Sequence, residues 1–139
     1  MKQSDELILI PPGEYELTYT CHETSYYMGG QAKVAVWFEI IDHSDHYGTS
    51  LARYYNAKSL IDKPSVGGAF TVGMGSDCAH EFAWITNQLI DPANVTLEEF
   101  SDLVILGEVK TVDKTRKKKE RHPLMQYSKV NALLKATEG

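Results

Sequence analysis

The spacing of apolar residues changes character in only one place along this chain, and that limits the folds open to it. Segments with a period of two, or with continuous apolar and β-branched residues, come before and after a single stretch at helical spacing. In that stretch Cys78, Phe82, Ile85 and Leu89 recur every three to four residues. Ser76 is a good N-cap and Asp77 suits the positive end of a helix, so the spacing predicts one amphipathic helix over Asp77 to Leu89. Before it, Glu14 to Cys21 puts Tyr15, Leu17, Tyr19 and Cys21 on one face, the pattern of a half-buried strand. Ala32 to Ile41 reads as a central strand covered on much of both faces, and Thr49 to Asn56 as a third strand completing a meander. Gly29-Gly30 permits the first turn, and Asp42 to Gly48 is polar enough to be the second.

After the helix, Thr96-Leu97-Glu98-Glu99 has capping-box spacing and predicts a short helical turn ending near Asp102. Leu103 to Val112 and Met125 to Val130 read as the last two strands, with a tail at Asn131 to Leu134 that turns helical. Three strands, a helix and two strands in 139 residues fit one domain over 1–139. The expected fold class is mainly β: a five-stranded OB-like barrel with the helix between strands 3 and 4. In that fold the second and third strands, with the loops joining strands 1 to 2 and 4 to 5, bind oligonucleotides or oligosaccharides.

Charge bears on the last of those loops. Lys110 to Arg121 gathers seven Lys/Arg against Asp113 and Glu120, a local +5 on a chain of net -5. Such a block is either a phosphate-facing element or a hydrated hairpin tip. Topology selects the residues for the first reading: Tyr27 and Lys33 from the first loop, Arg53, Tyr55 and Lys58 from the third strand, and Lys114, Arg116, Lys117, Lys118, Lys119 and Arg121 from the last loop. Within the pairs Tyr26-Tyr27 and Tyr54-Tyr55, strand alternation turns one ring outward, and Tyr27 and Tyr55 are the expected outward members. The competing reading makes all four rings core and rim, since aromatics are favoured in strands.

The runs Ile10-Pro-Pro-Gly-Glu-Tyr-Glu, Lys33-Val-Ala-Val-Trp-Phe-Glu-Ile and Leu51-Ala-Arg-Tyr-Tyr-Asn, with Gly107-Glu-Val-Lys-Thr-Val and Gln126-Tyr-Ser-Lys-Val near the end, resemble small proteins of phages and mobile elements. This group resembles phage single-stranded-DNA-binding proteins of OB-fold type. The resemblance spans nearly the whole chain and implies a non-enzymatic binder of single-stranded DNA in replication or recombination. Its motifs are structural signatures without catalytic content. The alternative from another class is a protein-interaction module, or an inhibitor of a host defence or nucleic-acid enzyme, working through the acidic remainder of the surface.

Other chemistry finds little footing. Asp42-His43-Ser44-Asp45-His46 gathers ligand types, but in a turn and without the paired spacing of structural zinc, so no metal or other cofactor is expected. Cys78 and His80 stand two apart on a helix and face different ways, which argues against a nucleophile pair. Neither phosphate-loop glycine pattern occurs. The four-residue apolar run Leu7 to Ile10 is too short for a signal core or a membrane span, so a cytoplasmic protein with reduced Cys21 and Cys78 is expected. Self-association into a homodimer, through strand edges or the helix, is allowed without being demanded.

Overall fold

The computed structural model describes residues 7–115 and 118–137. In chain order it contains β1 (Gly13–Tyr26), β2 (Ala32–Ile40), β3 (Ser50–Asn56), β4 (Ser59–Leu60), β5 (Phe70–Thr71), α1 (Asp77–Thr86), β6 (Val104–Val112) and β7 (Tyr127–Thr137). Five strands form one antiparallel sheet in the order β3-β2-β1-β6-β7, and β4 pairs with β5 as a separate ribbon. The mainly β architecture and the single α-helix agree with expectation. The sheet curls so that its edge strands β3 and β7 approach each other, with α1 packed against both. Among the described residues no hydrogen-bonded ladder joins those edges, so the sheet does not close into a barrel.

A bulge divides β1. Tyr15 and Leu17 point into the core as their alternation predicts, but the register against β2 slips between Tyr19 and Cys21. An extra residue reverses which face each later side chain takes. His22 and Thr24 therefore point inward and Cys21 is only half-buried. The interior accepts His22 because both ring nitrogens are bonded. The Gly68 carbonyl, 2.8 Å from Nε2, can only accept, so Nε2 carries the hydrogen and Nδ1 accepts from the Tyr19 hydroxyl at 2.9 Å. Burial holds the His22 pKa below its ordinary value, against the raising effect of the Gly68 carbonyl. The unfolded chain thus takes up this proton first as pH falls. The stabilisation from neutral His22 is complete above about pH 6.5 and is lost below it. Urea midpoints for wild type and His22→Gln should show the wild type losing more stability between about pH 7.5 and 5.5. Equal losses in the two proteins would exclude this role.

In β2 the burial alternates strictly, with Val34, Val36, Phe38 and Ile40 inward and Lys33, Ala35, Trp37 and Glu39 half-exposed, so only one face is covered and not both. Tyr19, Phe38, Phe82 and Phe100 meet edge-on or tilted in the core at centroid separations of 5.7–6.4 Å, packing α1 onto the sheet. Ser76 caps α1 by accepting from the Ala79 N–H at 3.2 Å. The helix stops at Thr86, where Asn87 turns left-handed (φ 58) and returns its N–H to the Ala83 carbonyl. Leu89, expected on the helix, lies beyond it and is 80% exposed. The expected capping box does not form: Leu97, itself left-handed, precedes a 3-10 turn over Glu98–Phe100 that has no side-chain cap. The tail expected to turn helical at Asn131 to Leu134 instead continues β7, because Val130 and Leu133 are buried while the strand stays paired with β6 through two register shifts.

Candidate functional site

The outward faces of β2 and β3 and the start of β7 enclose an open groove of about 500 Å³ lined by Ser25, Tyr27, Lys33, Ala35, Tyr54 and Tyr127. Pairing explains the grouping. Ala35 stands opposite Tyr54 and Lys33 opposite Ser25, so strand alternation brings all four to one side. Tyr127, opposite Val112 in the neighbouring pair, enters across the gap between the curled sheet edges. The rings attract cations: the Lys33 ammonium lies 5.6 Å from the Tyr27 centroid, and the Arg121 guanidinium lies 5.4 Å from that of Tyr127.

Lysines extend this basic character along β6 and β7. Lys110 and Lys129 stand directly opposite one another, a like-charge pairing that costs stability unless an anion lies between or over them. Burial, and then the positive charges of Arg53, Lys110 and Lys33, hold the Lys129 pKa below its ordinary value. Three lysines from three different strands therefore act on one region of space. No Asp or Glu lines the groove among the described residues. Glu23, the acid opposite Ala35, is engaged by the Trp37 indole N–H at 3.0 Å.

Of the residues selected from sequence, Tyr27 and Lys33 line this groove, and Arg121 stands over one of its rings. Lys114, Lys118 and Lys119 are exposed in the β6–β7 loop, while Arg116 and Lys117 lie outside the described residues. Lys58 is exposed over a different hollow, with Thr71, Met74 and Pro92. Tyr55 is a correction: only 3% exposed, it is a core residue, and Tyr54, 43% exposed, is the outward member of the pair. Arg53 is likewise buried, over the Tyr55 ring with its guanidinium carbon 4.5 Å from the centroid. Tyr127 lines the groove without having been selected, and Lys129 and Lys110, paired on the adjoining strands, were not selected either.

Glu81 of α1 explains why Arg53 and Tyr55 point inward. Its Oε1 accepts from Arg53 Nε at 3.0 Å, from the Tyr55 hydroxyl at 2.6 Å and from the Leu133 backbone N–H at 3.3 Å. Its Oε2 accepts from the second Arg53 nitrogen at 2.8 Å. One carboxylate thus holds β3 and β7 together through the helix, at the place where the sheet has no ladder. Burial, and then Glu81, push the Tyr55 hydroxyl well above its ordinary pKa, so it remains a donor throughout the working range.

The remaining reactive groups do not converge. Burial raises the Cys78 thiol to about 12, so it stays protonated at neutral pH, and both cysteines are free. Among the described residues no cluster of three His, Cys, Asp or Glu is placed to hold a metal ion, and Asp42 instead accepts the Glu16 backbone N–H at 3.1 Å. No helix among the described residues is long and apolar enough to cross a membrane. Neither known protein families, curated proteins nor solved structures yield a match to this chain.

Proposed function

We propose that the chain binds single-stranded nucleic acid, DNA in the first instance, in the groove of Tyr27, Tyr54 and Tyr127, as a non-enzymatic protein of a phage or mobile element acting in replication or recombination. The observation that carries this reading is a groove lined by three tyrosine rings and Lys33, with Arg121 over one ring, Lys110 and Lys129 paired on the adjoining strands, and no acidic lining residue among the described residues. A sequence-tolerant single-strand binder needs flat rings for bases and cations for phosphates. Duplex DNA keeps its bases stacked inward and cannot use the rings. The strand order and helix placement, with edges that approach without pairing, support a partly open OB-like barrel as the scaffold.

The salt dependence of binding tests this reading. If four or five phosphates are engaged, log K should fall with log salt at a slope of about -3 to -3.5. Fluorescence-anisotropy titration of a labelled oligo-dT strand, with a duplex of equal length as competitor, should give micromolar or tighter binding with that slope. The charge reversals Lys33→Glu and Lys129→Glu together should abolish it. Absence of binding at low salt would overturn the proposal, and equal competition by duplex would overturn the role given to the rings.

A further inference from the structure

A second surface remains, on the side of the molecule that carries the helix. Between Lys63 and Lys110 there is no Lys or Arg, while five exposed acids occur, Asp77, Asp91, Glu98, Glu99 and Asp102. This stretch contains α1 and an open, mainly apolar hollow of about 430 Å³ bordered by Met74, His80, Glu81, Trp84, Leu89 and Ile90, with Glu81 already held by Arg53. Trp84 is 76% exposed beside it, and Leu89 and Ile90 also border an adjoining hollow that contains Asp91 and Glu99. An exposed tryptophan on an apolar hollow with acids around it suits an occupant that offers apolar side chains next to positive charge.

The same chain supplies such a segment. Leu124, 81% exposed, and Met125 sit in a 3-10 turn immediately after the basic loop, with Lys118, Lys119 and His122 exposed beside them. A molecule cannot fill its own hollow with this turn. The helix meets β7 at Leu133 through Glu81, whereas Met125 precedes the start of that strand, and the eight steps from one to the other span about 26 Å of extended chain. We infer that the hollow at Trp84 receives the Leu124–Met125 turn of a second copy of this chain, joined head to tail. Joined head to tail, each added copy leaves one hollow and one turn unfilled, so growth passes the dimer and ends only where the copies close into a ring. Its charge complementarity makes it weaker at high salt. None of this depends on nucleic acid, so the test uses the protein alone.

Sedimentation velocity over a concentration series at low salt should show the mass rising past the dimer. Trp84→Ser, and separately the double variant Leu124→Ser, Met125→Ser, change exposed side chains and should keep the wild-type circular dichroism. Each should weaken association by about thirtyfold or more, the scale of losing an interface anchor. A mixture of the two variants is decisive: one retains an intact turn and the other an intact hollow, so they should form a one-to-one dimer that grows no further. A wild type that remains monomeric, a wild type that stops at the dimer, variants that associate as the wild type does, or a mixture that fails to pair would each overturn the inference.

Discussion

Replacing Glu81 with alanine is expected to destabilise the protein by about 3–5 kcal/mol, because it leaves a buried guanidinium without its partner. With an unfolding entropy of about 2.1 cal/mol/K per residue over 139 residues, the thermal midpoint falls by about 10–17 °C. The size of the effect follows from the number of groups stranded. Arg53, the Tyr55 hydroxyl and the Leu133 N–H all donate to this one carboxylate, and none of them faces open water. Glu81→Gln keeps the shape and some acceptor capacity, so it should cost less. Replacing the ion pair as a whole, with Arg53→Met and Glu81→Leu, should recover most of the loss, since well-packed apolar residues often match a buried pair. Scanning calorimetry on the four proteins checks the series. A Glu81→Ala loss below about 1 kcal/mol would mean that the carboxylate does not hold β3 to β7.

This network also marks where the sequence stops being informative. Parity along β3 could have been read correctly: Leu51 is an evident core residue, and Arg53 and Tyr55 share its face, which leaves Tyr54 outward. An inward arginine argues against that reading until its partner is known, and the partner lies 28 residues away on a helix. No local pattern announces such a pair. Tyr127 and Lys129 were obscured for a related reason. Ser128 between them is buried, donating to the Ile10 carbonyl and accepting the Ile10 N–H, so a polar residue fills an inward position and hides the alternation. The bulge in β1 shows the same limit, since one extra residue exchanged the faces and nothing in Tyr19-Thr20-Cys21 foretold it. The positions of the long strands along the chain, the helix N-terminus and the location of the basic loop depend on local chemistry, and these were legible.

Tyr54→Ala and Tyr127→Ala are each expected to weaken single-strand binding by about 1–3 kcal/mol, or about 5- to 150-fold, the range for loss of one base–aromatic stack. Both rings line the groove and neither is part of the buried core, so folding should survive. Phenylalanine at either position should retain most of the affinity, because stacking needs the ring and not the hydroxyl. Two tyrosines serve as controls. Tyr47 is exposed in the β2–β3 loop outside the groove, and Tyr47→Ala should leave binding unchanged. Tyr55→Phe removes a core hydroxyl bonded to Glu81 and should lower stability while sparing affinity. The double variant Tyr54→Ala, Tyr127→Ala then distinguishes two ways of using the groove. Additive losses mean that the rings hold different bases, and losses well short of additive mean that they clasp the same one. Affinities unchanged in both single variants would leave the lysines as the whole of the binding surface, and the steep salt dependence would then come with no preference for single strands over duplex.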